Sequence, residues 1–399
     1  MWILCRGLVP HASRDTDYSG AMPTTLLVTN DFPPRVGGIQ SYLRDFVSLL
    51  NPEEIVVFAS TQDAEAAQKH DAEVPYEVVR WPRSVMLPTP ATQRRMCELI
   101  RQRGINTVWF GAAAPLAVMG AAAKKAGAQR VIATTHGHEV GWSMLPGSRQ
   151  VLSRIGRSAD VVTYISDYTL GRFRRAFGQG PEFAHLPSGV DVEVFRPLDV
   201  AAKDRVRQRW GIAQGVPLIV CVSRLVPRKG QDQLLRAMPR VRAELGQAQL
   251  VIVGQGRYEA TLKTLARRYD PSAIFTGSLP FAEMVELLGA ADVAAVPART
   301  RGGGLDVEGL GIVYLEAQAC GIPVVAGDSG GAPETVNEES GIVVRGNDER
   351  ELADALVAIL ASPQRRAQMG EAGRRYVEEN WTWEIMGERL RSLLGSPLY

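Results

Sequence analysis

The chain has 399 residues, 45% of them hydrophobic, and a formal net charge of +2. That length exceeds the ~100–200 residues of a typical domain and predicts two domains, each with enough apolar residues for its own core. The longest apolar run, Val108 to Ala123, is shorter than the ~20 residues of a membrane span and is broken by Gly111, Pro115 and Gly120, so it predicts a buried strand, a loop and an Ala-rich helix.

In chain order, residues 1–22 carry no basic segment ahead of an adequate apolar stretch and no cleavage site, and are expected to be a disordered extension. Met22 stands directly before the first strand and is a candidate alternative start. From residue 23 the pattern is strand, breaker-rich loop, helix: TTLLVTN, DFPPRVGG, IQSYLRDFVSLL. Strand-length runs follow at EIVVFAS, YEVVRW, INTVWFG, RVIATTHG, DVVTYIS and EFAHLPS. Their lack of alternation is what a parallel sheet covered on both faces requires. The first Rossmann-like domain is thus expected over 23–189, and the Pro- and charge-rich residues 190–200 are read as a hinge. Alternation restarts with VPLIVCVS, QLVIVGQG, AIFTGSL, DVAAVPA, IPVVAG and GIVVRG, a second Rossmann-like domain over 201–375. Helical stretches close the chain. The fold class is α/β, with two doubly wound domains facing across a cleft, and the ligand crevice belongs at the carboxyl ends of strands from both.

Cysteine and charge narrow the setting. Cys5, Cys97, Cys221 and Cys320 show neither C-x-x-C pairing nor histidine spacing, so neither a zinc site nor a disulfide framework is expected. A reducing cytosol is the simplest compartment. Between Arg80 and Arg175 fifteen Lys or Arg stand against four Asp or Glu, while residues 53–77 hold seven acids and one Lys. The bias reads either as an ordinary solvated surface or as a face directed at an anionic partner. No aromatic-basic RNA signature and no helix-turn-helix spacing accompany it, so nucleic acid is not expected and an acidic membrane surface is preferred.

The chemistry centres on RTRGGGLDVEGLGIVYLEAQA, residues 299–319, which sets Glu308 and Glu316 eight apart across a glycine-rich loop and the start of an apolar helix. Such spacing is common on solvated helices. Here, however, the following turns are apolar, and a carboxylate on a buried helix is costly without a partner. Gly309 and Gly311 let backbone approach a ligand, and the free N–H groups of a helix start favour an anion. Glu308 is expected at the mouth of the site, accepting from hydroxyls, with Glu316 further along to reach a second hydroxylated group such as a ribose. In SRLVPRKG, after a buried strand, Arg224 and Lys229 could converge on a diphosphate. Gly37 and Gly38 precede a helix and suit either phosphate approach or a plain turn. In TTHGHE, His136 and His138 lack a third metal ligand, and His136 fits better as a hydrogen-bonding partner of substrate. Gly330 and Gly331 form another strand-end loop. The sequence has neither a P-loop nor a GxGxxG fingerprint, and no motif supports a covalent Ser-His or Cys-His mechanism.

The ordered set of Gly37-Gly38, His136, Arg224 with Lys229, and Glu308 with Glu316 resembles the retaining nucleotide-sugar glycosyltransferases of the GT-B fold, family four. VTNDFPPRVGGIQSY, VWFGAAAPLA, THGHEVGWSMLPG, SRLVPRKGQD and GDSGGAPETV are similar, more narrowly, to actinobacterial mannosyltransferases acting on phosphatidylinositol mannosides. The resemblance implies that Arg224 and Lys229 hold the diphosphate of GDP-mannose and stabilise it as it leaves. It implies that Glu316 binds the ribose, and that Glu308 with Gly309, Leu310, Gly311 and Ile312 holds the mannose. His136 would contact the sugar from the first domain, Gly37 and Gly38 would lie against phosphate and acceptor, and Leu279 would sit in the base-binding loop.

The implied reaction retains anomeric configuration by front-face attack, the donor phosphate taking the acceptor proton, with phosphatidylinositol monomannoside (inositol O6) as acceptor. No cofactor is expected; Mg2+ is possible but no motif indicates it. The last segment, 376–399, is expected to pack back toward the first domain, and the basic region to rest on the anionic inner face of the plasma membrane. Two alternatives stay open: a family-four enzyme with another glycolipid or soluble sugar acceptor, and a non-catalytic nucleotide-sugar-binding protein.

Overall fold

The computed structural model describes residues 24–395, so the expected extension, Met22 and Cys5 lie outside the described residues. In the first half the strands are β1 (Thr25–Thr29), β2 (Ile55–Ser60), β3 (Glu77–Trp81), β4 (Thr107–Phe110), β5 (Arg130–Thr134), β6 (Val161–Tyr164) and β7 (Glu182–His185). Between them run α1 (Gly38–Val47), α2 (Ala64–Glu73), α3 (Pro90–Arg103), α4 (Gly120–Ala126), α5 (Glu139–Met144), α6 (Pro146–Gly156) and α7 (Asp167–Phe177). The second half holds β8 (Leu218–Val222), β9 (Gln249–Val253), β10 (Ile274–Gly277), β11 (Val293–Val296), β12 (Val324–Gly327) and β13 (Gly341–Val344). Its helices are α8 (Val200–Arg209), α9 (Gln231–Leu245), α10 (Glu259–Tyr269), α11 (Phe281–Gly289) and α12 (Ile312–Ala319), followed by α13 (Glu349–Leu360), α14 (Pro363–Asn380) and α15 (Trp383–Leu394).

Two parallel sheets result, ordered β3-β2-β1-β4-β5-β6-β7 and β10-β9-β8-β11-β12-β13. Every residue of β1, β2, β4 and β8 is buried, which explains their unbroken apolar sequences: helices cover both faces, so no position can alternate toward water. Each sheet reverses its order once, between β1 and β4 and between β8 and β11. Loops leaving the carboxyl ends of those strands diverge and open a crevice. The first sheet thereby presents residues 30–38, Gly111 and His136; the second presents residues 223–230, 298–311 and 328–335.

The chain crosses between domains at two adjacent places. Residues 186–199 lead into the second domain, held by Arg374 on α14, whose guanidinium donates to the carbonyls of Val192, Phe195 and Ala319. α14 continues without interruption through 375/376, and the return crossing lies at its end, where Val190 N–H donates to Trp381 C=O. α15 then packs on the first domain. Trp383 lies edge-on to Phe46 of α1, Arg391 donates to the Leu49 carbonyl, and Thr107 Oγ1 donates to the Leu394 carbonyl.

Candidate active site

The cationic loop after β8 is stitched from behind. Gln231, buried at the start of α9, donates to Ser223 Oγ at 2.8 Å and to the Arg224 carbonyl at 2.9 Å. Arg299 forks onto both Asp232 oxygens at 2.9 Å and donates its backbone N–H to the Arg228 carbonyl. The loop is thus rigid where its side chains emerge. Lys229 is buried and its Nζ lies 2.6 Å from Glu308 Oε2, with Arg228 Nε 3.9 Å from the same oxygen. Arg224 is exposed, close enough to act on the Glu308 charge.

Glu308 therefore does not lie at the open mouth of the site. It is buried and paired with the cations of the loop after β8, whose charge it neutralises in part. Burial pushes its carboxyl up, but Lys229, Arg228 and Arg224 outweigh that and hold it below its ordinary range. Its backbone is fixed on both sides: Glu308 N–H donates to Ser329 Oγ at 3.1 Å and its carbonyl accepts from Gly331 N–H at 3.0 Å. That approach needs glycine at 330, where φ is +58° and a Cβ would stand 1.9 Å from the Glu308 carbonyl oxygen.

Beyond Glu308 the backbone runs through Gly309 and Leu310 to Gly311, which takes φ +94° as the N-cap of α12. No side chain caps that helix start, so the N–H groups of its first residues carry no side-chain acceptor. Ile312 opens the helix and Glu316 lies half-buried on its second turn. Leu279 follows β10, two strands from β8, roughly 10 Å away by strand spacing, and is half-buried against the core. Arg224, Lys229, Glu308 and the Gly309–Ile312 backbone thus form one cluster, with Glu316 on the helix behind it and Leu279 at its flank.

The first domain contributes a different chemistry. His136 follows β5; its Nε2 lies 2.7 Å from the Gly111 carbonyl and its ring stands edge-on to Tyr42. A carbonyl only accepts, so Nε2 carries the proton and Nδ1 is left as an acceptor. Burial pushes its pKa down to about 4, so the ring is neutral near pH 7. Gly38 opens α1 and Gly37 is its N-cap; a Cβ on Gly37 would run into Gln40 Oε1. Gln40 in turn donates to Asp31 Oδ1 at 2.8 Å. Asp31, half-buried beyond β1, is pushed up by burial, with His138 and Arg35 opposing.

Several site residues were not singled out from the sequence. Arg228 sits inside SRLVPRKG, but nothing in that string separates it from its neighbours. Asp31 and Glu139 carried a usable signal, acids directly after apolar strands. Glu139 is fully buried and its Oε2 accepts from His136 N–H and Gly137 N–H, both at 3.1 Å, fixing the turn that presents His136. Among the described residues no group of three or more His, Cys, Asp or Glu is arranged to hold a metal ion.

Two family descriptions match in tandem: "Glycosyltransferase Family 4" over residues 36–194 and "Glycosyl transferases group 1" over 202–376. A GDP-mannose-dependent monoacylated alpha-(1-6)-phosphatidylinositol monomannoside mannosyltransferase of Corynebacterium glutamicum is 62% identical over 372 residues, 93% of this chain and 98% of its own. The chain belongs to the family four glycosyltransferases. Within this family a Mycolicibacterium smegmatis GDP-mannose-dependent alpha-(1-6)-phosphatidylinositol monomannoside mannosyltransferase is 52% identical over 92% of this chain and 97% of its own. Among solved structures, Anabaena Alr3699/HepE in complex with UDP superposes with a TM-score of 0.76 at 20% identity, covering 93% of this chain and 99% of that one. That likeness establishes the fold of this glycosyltransferase as the two-domain GT-B architecture.

Proposed function

We propose that the protein is a retaining α-mannosyltransferase that moves mannose from GDP-mannose to inositol O6 of phosphatidylinositol monomannoside. The observation that carries the reading is the cluster of Arg224, Arg228 and Lys229 beside the uncapped start of α12, with Glu308 beneath it. Three cations and a helix N-terminus suit a leaving diphosphate, and Arg228 and Lys229 are held by Glu308 before reaction, which is what makes such stabilisation effective. In this reading Glu308 and the backbone of Gly309, Leu310, Gly311 and Ile312 hold the mannose, Glu316 the ribose and Leu279 the base. The neutral His136 accepts a sugar hydroxyl through Nδ1, and Gly37 and Gly38 lie against phosphate and acceptor. The acceptor proton leaves with the donor phosphate, so a protein nucleophile has no part in the cycle.

Because protein groups supply the positive charge, turnover is expected without added metal and in the presence of EDTA. The acceptor is a lipid, and the first domain offers it a surface. Val85 and Leu87 are exposed in the loop after β3 and Met144 and Leu145 at the junction of α5 and α6, where an open cleft of about 490 Å³ is lined in part by Met144, Pro146, Arg149 and Arg175. No helix among the described residues is long and apolar enough to cross a membrane. We infer peripheral contact with an anionic inner leaflet, and phosphatidylinositol liposomes should sediment the protein at low salt and release it at high salt.

The deciding experiment is mass spectrometry after incubation with GDP-mannose, UDP-glucose, phosphatidylinositol and its monomannoside. One hexose gained on the monomannoside, dependent on GDP-mannose, is expected. Release of GDP without a lipid product would overturn the acceptor assignment.

A further inference from the structure

The two domains touch at the start of α7, and the contact falls on the same loops that form the proposed sugar site. Ser166, the N-cap of α7, donates through Oγ to the Gly309 carbonyl at 2.7 Å. The Glu334 carboxylate, from the loop after β12, accepts from Asp167 N–H at 2.7 Å and Tyr168 N–H at 2.8 Å, so it caps a helix of the other domain. These are two of the N–H groups that an α-helix leaves unpaired at its start, where the helix dipole also favours a negative charge. Arg172, one turn on, packs against Gly304.

We propose that Glu334 and Ser166 are positioning residues: by docking the start of α7 onto the loop that holds the donor sugar, they bring His136 into the site. The link from α7 to His136 is short. Thr169 of α7 donates its N–H to Ser166 Oγ, its methyl lies against Gly137, and Gly137 and His136 hang from one Glu139 oxygen. Seating α7 therefore seats the His136 turn with it. The Lys229–Glu308 pair and the Ser329 and Gly331 bonds to the Glu308 backbone are made within the second domain, while Gly331 also lies against Ser166.

Burial pushes the Glu334 carboxyl above its ordinary range, and the two amide N–H groups offset that only in part, with Asp167 adding repulsion. Substrate entry and product release require this contact to open during the cycle.

The inference rests on reading residues 308–312 as the donor-sugar loop, and its test is separable from that reading. Glu334→Gln keeps the shape but presents an amide N–H to one of the two helix N–H groups. Glu334 is half-exposed, so the variant is expected to melt with the wild type. GDP affinity by calorimetry should stay within about threefold, while kcat for transfer falls by about tenfold or more, the effect of one lost charge-assisted hydrogen bond. Small-angle scattering should show the wild type compacting on addition of GDP-mannose and the variant failing to do so. Ser166→Ala should shift kcat in the same direction. A Glu334→Gln variant that compacts and turns over like the wild type overturns the proposal. Failure of the wild type to mannosylate any phosphatidylinositol lipid would sink the functional reading alone, because the scattering comparison still reports on docking.

Discussion

Replacing Lys229 by Met keeps most of the side-chain volume and strips Glu308 of the cation that lies 2.6 Å away. Breaking a buried ion pair from one side costs ~3–5 kcal/mol, because the remaining charge is left desolvated. Arg228, 3.9 Å from the same oxygen, retains part of the attraction and puts the expectation near the lower end, about 3 kcal/mol. For a domain of this size that corresponds to a fall of about 6–12 °C in Tm. Glu308 is held below its ordinary carboxyl value of 4.5, so the pair's contribution is fully present above that pH and fades as pH falls through the lowered folded value. The gap between wild type and variant should narrow accordingly in acid. Transfer should fall further, by ~100–1,000-fold, the range for removing one preorganised donor to a developing oxyanion. The double variant Lys229→Met, Glu308→Gln removes the orphaned charge and should regain most of the melting temperature while staying inactive. Scanning fluorimetry and a coupled GDP-release assay read both quantities. A single variant that melts with the wild type, or a double variant that regains turnover as well as Tm, would refute this account of the pair.

Other perturbations test neighbouring parts of the site. His136 has a folded pKa of about 4 against an ordinary 6.5, so the unfolded chain takes the proton first; its contribution is whole above about pH 6.5 and is lost as pH drops toward 4. His136→Asn should flatten that part of the stability profile, measured as urea midpoints at neutral and acid pH, and an unchanged slope would count against the buried neutral ring. Gly330→Ala puts a Cβ 1.9 Å from the Glu308 carbonyl oxygen at φ +58°, strain of about 1–3 kcal/mol or more, and should abolish donor binding by calorimetry while circular dichroism stays native. Glu316→Ala should weaken GDP binding by ~10–100-fold, as expected for a lost hydrogen bond to a charged group, and a wild-type affinity would remove Glu316 from the ribose.

How much of this was legible in the sequence follows from physical range. Strands such as TLLVT and LIVCV announce themselves because both sheet faces are covered, and the loops that follow them locate the crevice. Residues 299–319 were readable because glycines and acids beside an apolar helix are a local pattern. Depth was not local. Nothing in SRLVPRKG says that Lys229 is buried or that it meets Glu308 rather than open solvent, and Glu308 accordingly lies deeper than the spacing implied. Contacts across the cleft were less legible still. Ser166 and Gly309 are 143 residues apart, and Tyr168 and Glu334 are 166 apart, with no periodicity to link them.

The division of labour between the domains bears on how a transferase avoids wasting its donor on water. The groups proposed to meet the diphosphate, Arg224, Arg228 and Lys229, lie on a loop held by Gln231 and by the Arg299–Asp232 pair, all within the second domain, so on that reading the donor binds while the cleft is open. A donor fully activated at that stage would be hydrolysed. The sugar side is different: His136 belongs to the other domain, and the carbonyl of Gly309 is bonded across the cleft to Ser166. On the proposed reading, the arrangement that brings His136 to the donor sugar is the one in which the start of α7 is docked on the Gly309 loop. Reactive geometry and water exclusion then arise from a single movement, in which the Glu334 carboxylate meets the N-terminus of α7.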